Sequence, residues 1–342
     1  MAVIILGGGA DMAAAPERWR SALSADDIRE LEAAATQLRD AGVDLGAIRE
    51  ADFPLPKMAP RLKALRDDLI HGIGFGLLTG LPVERYDQWT AAAIFCGVGA
   101  HLGAARSQNA AGHLLGHVRD VGADPKDVNT RIYQTSARQT FHTDSADVVG
   151  LLCLREAMEG GDSLLVSTVS IYNEMTARRP DLAARLFDPI ATDRRGEQPE
   201  GEKPYFEIPV LNWHEGELTG IYQRQYIDSA QRFEDAFRLT EDHVAALDLF
   251  DEIANDPDLH LRMRLTPGDM QFVYNHAMLH DRTGFRDWPE RAERRHLLRL
   301  WLSIPGDREL PPAFAQRYGS IEVGDRGGIV TKETRLHAPL DV

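Results

Sequence analysis

The chain has 342 residues, 43% of them hydrophobic and 27% charged, and a formal net charge of −15. That composition suits one sizeable folded core. The charge argues against nucleic acid and against anionic lipid surfaces, because binding to either draws on clustered Lys and Arg, although a few converging arginines can still hold a small anion.

The opening MAVIILGGGADM has a short apolar run and no basic start, too little for a signal peptide or a membrane span. Its GGG lacks the strand–turn–helix setting of a phosphate loop and reads as a flexible or hairpin-like N-terminus. Residues 24–41 predict a helix: Ser24 and Asp27 form a capping box, Ile28, Leu31, Ala35 and Leu38 make one apolar stripe, and Gly42 stops it. A second helix starts at Pro60 and runs through Leu62, Leu65 and Leu69 to Gly72. GFGLLTGLP (74–82) reads as a buried strand, and a third helix covers about 86–97. Cys96 and Cys153 each lie in apolar runs, so both read as buried free thiols suited to a reducing cytoplasm.

From there the texture becomes strand-like, with GHLLGHVRDVG (112–122), RIYQTSARQTFH (131–142), VVGLLCLR (148–155) and GDSLLVSTV (161–169) separated by turn residues. Residues 170–187 predict a helix interrupted near Pro180. The mixed stretch 190–260 holds a strand pair (KPYFEIPVL with LTGIYQRQYI) and a helix around 241–254. LHLRMRL, the turn TPGD and MQFVYNH predict a hairpin over 259–276, and HLLRLWLSI (296–304) a further strand. Many short strands with helices outside them indicate a sandwich or barrel.

FHTDSAD (141–147) carries the first chemical signal. Side chains two apart in a strand share a face, so His142 and Asp144 project together and Thr143 turns away. One imidazole and one carboxylate suit a borderline divalent ion such as Fe(II), and a third ligand must come from elsewhere. His276 and His280 are the candidates, and periodicity does not choose between them. In RRHLLRLWLS (294–303), alternation puts Arg295, Leu297, Arg299 and Trp301 on one face and His296, Leu298, Leu300 and Leu302 on the other, the face that packs under helices. Arg299, held on an apolar strand, needs an anion.

HTD at 142–144, GGDS at 160–163, N-x-x-x-x-H-x-R at 275–282 and R-x-x-x-R at 295–299 follow one another in an order that resembles the taurine dioxygenase/TfdA-like enzymes. These are Fe(II)- and 2-oxoglutarate-dependent oxygenases related to clavaminate synthase. The likeness spans roughly 75–335, including LTPGDMQFVYN, FRDWPE and RGGI. It implies His142, Asp144 and His280 as metal ligands. It also implies that Arg299 and Ser163 hold the distal carboxylate of 2-oxoglutarate, with Arg295 in support. The implied fold is mainly β with flanking helices (α+β), a distorted double-stranded β-helix or jelly roll. One domain would cover 1–342, with a helical region 1–72, a core over 73–335 and an insertion at about 170–260. The implied reaction uses O2 and 2-oxoglutarate to oxidise a C–H bond of a small-molecule substrate, giving succinate and carbon dioxide. Related halogenases lack the carboxylate at the Asp144 position, so its presence favours hydroxylation, with desaturation or cyclisation on the same iron as alternatives. A non-catalytic jelly-roll binding protein is the reading from another class.

Candidate substrate contacts are Gln108 and Asn109 in GAARSQNAAG, and Tyr133 and Gln139 on the run into His142. Tyr222, Arg224 and Tyr226 would alternate onto one face of GIYQRQYI. Enzymes of the resembling family use an arginine near the last motif for a sulfonate, which makes Arg282 a further candidate beside Arg295. A homo-oligomer fits the family, and no exposed apolar stripe in the sequence marks an interface.

Overall fold

Two β-sheets face each other across a shared apolar layer in the computed structural model, which describes residues 8–124, 127 and 130–341. The larger sheet runs in the order Arg20–Ala22, Phe75–Thr79, Met270–Tyr274, Val148–Arg155, His296–Ser303 and Ala104–Ala105, with Gly116–Val118 also paired to His296–Ser303. The smaller sheet has the order Leu261–Met263, Ser163–Ser167, Met278–Arg282 and Gln139–His142, all antiparallel.

Alternation along the strands sorts the core into layers. Leu298, Leu300 and Leu302 face outward onto the helices Ala25–Asp40, Ala59–His71 and Gln88–Leu102, while Leu297 and Trp301 face the inner layer. That layer joins Val149, Cys153 and Val273 of the large sheet to Leu165, Met263 and Met278 of the small one. The other face of the small sheet, with Leu164, Val166 and Leu279, packs on Thr168–Arg178, Pro180–Arg185 and Glu241–Ala254. Each fully buried aliphatic side chain in these layers contributes on the order of 1.5–3 kcal/mol.

The capping box of Ser24 and Asp27, the strands Phe75–Thr79 and Val148–Arg155, and the helix Glu241–Ala254 follow the sequence reading closely. Other expectations are corrected. Helical residues outnumber strand residues, so the chain is a mixture of sheets and helices rather than mainly β. The N-terminal region supplies the strand Arg20–Ala22 as well as helices. Residues 1–7 of the expected flexible or hairpin-like start lie outside the described residues, and Gly9–Ala14 is a short helix. In 131–142 only Gln139–His142 is strand. The Thr135 hydroxyl donates to the Ile132 carbonyl and closes a 3-10 turn before it.

The expected 259–276 hairpin is instead a crossing between sheets. Leu261–Met263 pairs with Ser163–Ser167, Met270–Tyr274 pairs with Val148–Arg155, and Gly268, at φ +89°, donates to the Cys153 carbonyl at the corner. A Pro-Gly turn signals a change of direction and does not say which strand comes next. Tyr205–Ile208 pairs with Ile190–Asp193, and Leu211–His214 with Glu217–Gly220. The stretch read as a strand through Arg224 is the helix Arg224–Ala230, whose Arg224–Asp228 pair has helical i,i+4 spacing.

A buried ionic network ties the chain behind the inner layer. Arg326 Nε donates to Asp147 Oδ1 at 2.7 Å and its Nη2 to Asp307 Oδ2 at 2.7 Å. His276 Nε2 lies 2.8 Å from Asp147 Oδ1, the Ile304 amide donates to Asp147 Oδ2, and Tyr274 Oη donates to Asp307 Oδ1. All these charges have partners, so removing one leaves another buried and unpaired. Arg326→Met is expected to lower the unfolding free energy by about 3–5 kcal/mol in a chemical-denaturation series; a loss below about 1 kcal/mol would mean the network does not brace the fold.

Candidate metal centre

Parity on the small sheet decides what meets the inner layer. Leu165 and Met278 point inward and Leu164 and Leu279 outward, so Ser163, His280 and Arg282 share the inner face. On the neighbouring strand Phe141 packs outward and His142 points in. His142 and His280 are direct partners across the antiparallel pair, with ring centroids 4.1 Å apart. A bulge between that pair and the Arg282–Gln139 pair re-aims the strand beside them. Asp144 lies just past the strand end, its amide donating to Asn275 Oδ1 at 3.0 Å. Thr143 turns away and exchanges hydrogen bonds with the Tyr222 backbone.

One ligand atom from each of His142, Asp144 and His280 lies within 4.8 Å of the others. His142 Nδ1 is 2.8 Å from the Thr140 carbonyl, which can only accept, so Nδ1 carries the proton and Nε2 offers its lone pair. The Gln139 Nε2 amide is 2.8 Å from that same Nε2. Asp144 Oδ2 accepts from Trp301 Nε1 at 2.7 Å and from Arg299 Nη1 at 3.4 Å, leaving Oδ1 for a further bond. His280 Nδ1 is buried with no hydrogen-bond partner among the described residues.

Burial, with the neighbouring His142, pushes His280 down to about 3, and burial also lowers His142. Burial alone would raise Asp144, but Arg299, the two histidines and the Trp301 N–H outweigh it and hold the carboxyl below its usual range. At neutral pH the cluster is therefore two neutral imidazoles and one carboxylate, a donor set that fits Fe(II). Asp147, His276 and Asp307 are equally close together, but the Arg326 guanidinium already sits on both carboxylates. His276 thus belongs to the scaffold, and His280 faces His142 and Asp144.

Two pockets meet at this cluster. The inner one, about 490 Å³, is lined by Ser163, His280, Arg282, Arg295 and Arg299 beside Val149 and Leu297. The outer cleft, about 650 Å³ and partly open to solvent, is lined by Asp144, Arg131, Tyr222, Tyr226, Arg299 and Arg317 among others. In the inner pocket Arg295 Nη1 and the Nε and Nη1 of Arg282 are buried without partners. Both guanidinium groups lie over Phe285, at 4.8 and 5.2 Å. Burial pushes Arg282 down to about 9, with Arg295 adding repulsion, and burial pushes Arg295 to about 10. Ser163 Oγ donates to Gln271 at 3.1 Å in the same pocket. Gly161, at φ +77°, lets Arg295 lie against its backbone, where a Cβ would meet Arg295 Nε at 2.8 Å.

Arg299 takes a different position from Arg282 and Arg295. It stands at the divide between the pockets, against Asp144, with its Nε donating to Gln108 Oε1 at 2.7 Å. Gln108 lines the outer cleft and in turn donates to the Arg299 and Leu114 carbonyls, so it braces Arg299. Asn109 lines neither pocket; its Oδ1 accepts from the Gly112 and His113 amides and closes a turn. Tyr133 and Gln139 line both pockets, and Tyr133 stacks under Arg299 at 4.5 Å. Tyr222 reaches the outer cleft, but its hydroxyl donates to Asp251 at 2.7 Å. Arg224 is held by Asp228, Asp248 and Asp251 and lines neither pocket. The lining residues missed in the sequence include Trp301, which alternation had already set on the Arg299 face, and Arg131 and Arg317, which no motif marks.

The profile of the taurine catabolism dioxygenase TauD, TfdA family matches residues 35–301. An FR-33289 synthase of Streptomyces rubellomurinus is 32% identical over 307 residues, 88% of this chain and 90% of that protein. The taurine hydroxylase-like protein SAT17 of Stachybotrys chartarum is 32% identical over 308 residues, 86% of this chain and 78% of that one. Among solved structures, an asparagine oxygenase in complex with Fe(II), 2S,3S-3-hydroxyasparagine and succinate superposes with a TM-score of 0.65 at 20% identity, covering 83% of this chain and 93% of that chain.

With both histidines unprotonated at working pH, their protons compete with metal only as pH falls toward the folded-state values. Fe(II) affinity, measured by anaerobic titration, should change by less than about threefold between pH 8 and pH 6. A steady loss across that range would show histidines titrating near their ordinary value. His142→Ala should weaken Fe(II) by about 100-fold or more.

Proposed function

The chain belongs to the taurine catabolism dioxygenase TauD/TfdA family, and on that footing we propose that His142, Asp144 and His280 hold its Fe(II) and that the inner pocket receives 2-oxoglutarate. Bound Fe(II) supplies the dioxygen chemistry, in which O2 and 2-oxoglutarate oxidise a C–H bond of a small organic substrate, with succinate and carbon dioxide as coproducts. The observation that carries the assignment is the convergence of two neutral imidazoles and one carboxylate at the meeting point of two pockets.

The chain's own groups prepare that site. The Thr140 carbonyl fixes the His142 tautomer so that Nε2 faces the metal position. Trp301 and Arg299 hold one oxygen of Asp144, which favours ligation through the other. The Gln139 amide uses the His142 lone pair that a metal would take, so it must turn away on loading and becomes free to meet a ligand. A 2-oxoglutarate held at the metal through its keto-acid end carries its far carboxylate several bonds away. That distance favours Arg295 and Arg282, whose unpaired nitrogens supply donors, together with Ser163, whose hydroxyl would turn from Gln271 to the carboxylate. Arg299, beside Asp144, then faces the primary substrate in the outer cleft. Apolar Val149 and Leu297 help keep the inner pocket dry.

In this reading the two facing sheets are the halves of a distorted double-stranded β-helix. The segment 170–260 is inserted between its strands, and the whole forms one oxygenase domain. The free, buried Cys96 and Cys153 support a reducing, cytoplasmic setting. Among the described residues no helix is long and apolar enough to cross a membrane.

Succinate release from 2-oxoglutarate, with Fe(II) and ascorbate, is the direct assay, and Asp144→Ala should abolish it. Arg295→Gln should raise the half-saturating 2-oxoglutarate concentration by about 10–100-fold. Gln108→Ala, which removes the brace on Arg299, should shift it by less than about threefold. The reverse order would return the distal carboxylate to Arg299. Product mass, +16 or −2 relative to substrate, separates hydroxylation from desaturation or ring closure.

A further inference from the structure

Behind Arg295, on the side away from the metal cluster, a basin of about 1190 Å³ opens to solvent, lined by Arg119, Arg155, Arg291, Arg294, Arg295 and His296 among others. Three neighbouring strands of the large sheet bring these cations together. Arg119 follows Gly116–Val118, Arg155 ends Val148–Arg155 and is paired with His296, and Arg294 and Arg295 lead into His296–Ser303. Like charges on adjacent strands repel, and no carboxylate of the described residues forms an ion pair with any of the five arginines. The acids that follow Arg155 in the chain, Glu156, Glu159 and Asp162, pair with Arg264, Arg286 and Arg262 instead. Asp120, the one carboxylate lining the basin, accepts from the Gly122 amide at 2.8 Å, and Asp287 accepts from the Arg295 amide at 2.7 Å. Half-buried Arg119 and exposed Arg291 make no side-chain hydrogen bond to a described residue. His296 adds no charge. Arg155 Nη2 lies 3.2 Å from His296 Nδ1, His296 Nε2 lies 2.8 Å from His117 Nδ1, and His117 Nε2 lies 2.9 Å from the Pro339 carbonyl. That carbonyl and the arginine fix the donors along the chain, so both rings are neutral and guanidinium groups alone make the basin positive.

Resting on the reading that places 2-oxoglutarate on Arg295, we propose that this basin is a second, regulatory site for a small polyanion, whose occupant competes with 2-oxoglutarate for Arg295. The number and spread of the cations select the ligand's charge. Five guanidinium groups from three strand ends and the 291–294 turn surround one basin, more than a single anionic group can engage. The acidic balance of the chain selects its size, because an extended polyanion would also meet the negative surface beyond the basin. The coupling follows from a wall one residue thick. Val118 and Tyr133 line the inner pocket while the next residues, Arg119 and Gln134, line the basin, and Arg295 lines both. Arg295 is 5% exposed and its Nη1 has no partner among the described residues. One guanidinium drawn toward an anion in the basin is less available to a carboxylate in the inner pocket, and the antagonism is reciprocal.

The test is calorimetric titration of the full chain, loaded anaerobically with Fe(II) and saturating 2-oxoglutarate so that the inner pocket is filled, at constant ionic strength. The probes are benzene-1,3,5-tricarboxylate, whose meta-spaced carboxylates cannot chelate the iron, cyclic trimetaphosphate, and benzoate as the single-charge control. The proposal predicts that at least one trianion binds about tenfold or more tighter than benzoate; the tighter of the two identifies a polycarboxylate or a polyphosphate. Arg119→Gln with Arg291→Gln, which touches the basin and not the inner pocket, should weaken that trianion by about tenfold or more and leave 2-oxoglutarate affinity as in the wild type. Arg291→Gln alone, at an exposed position, should cost about threefold or more and serves if the double variant does not fold. In the wild type, saturating trianion should raise the half-saturating 2-oxoglutarate concentration by about threefold or more, and in the double variant it should not. Benzoate binding as tightly as both trianions, trianion affinity unchanged in the variants, or 2-oxoglutarate affinity unmoved by the trianion would each overturn the proposal and leave the oxygenase assignment standing. Failure of the wild type to bind 2-oxoglutarate at all would overturn both.

Discussion

The site depends on one strand pairing. Gln139–His142 lies antiparallel to Met278–Arg282 in the register that sets His142 directly against His280. A slip of one residue would send one imidazole to the outer face, into the layer of Leu164, Val166 and Phe141. That register is held from both sides. Phe141 and Leu279 anchor the outer face, and Ser163–Ser167 pairs with the far edge of Met278–Arg282 along five residues. Asp144 then needs only a short turn off the strand end, fixed by Asn275, to reach the two rings.

The second organising feature is where the charge goes. A chain with a net charge of −15 keeps several arginines in its interior, and they divide by role. Arg326 is fully satisfied by Asp147 and Asp307 and serves the scaffold. Arg299 stabilises ionised Asp144 and orients it. Arg282 and Arg295 keep unpaired nitrogens facing the inner pocket. A desolvated guanidinium with spare donors is costly unless an anion completes it. On the proposed reading, 2-oxoglutarate is the anion that completes Arg282 and Arg295.

Much of this was legible in the sequence, and the limits are physical. Alternation in RRHLLRLWLS separated the leucines under the helices from Arg299 and Trp301 facing the inner layer, because period-2 geometry is local. The H-x-D pair was noticed by the same alternation, although Asp144 reaches His142 from a turn past the strand end and not along the strand. Choosing His280 over His276 was not legible, because both are reached from one short strand run and only tertiary pairing shows that His276 is buried against Asp147. The TPGD corner misled because a Pro-Gly turn looks alike in a hairpin and in a crossing between sheets. Arg224 misled because a short polar–aromatic run fits a strand and a helix equally well until its i,i+4 partner is weighed. The depth of Arg299 was not legible: the sequence shows which face an arginine takes, not how near Asp144 it ends.

A structure of the protein prepared without oxygen in the presence of Fe(II) and 2-oxoglutarate tests the account most directly. The account predicts iron bound by His142, Asp144 and His280, with the far carboxylate of 2-oxoglutarate on Arg295 and Ser163. Iron among Asp147, His276 and Asp307, or a far carboxylate resting on Arg299, would contradict it.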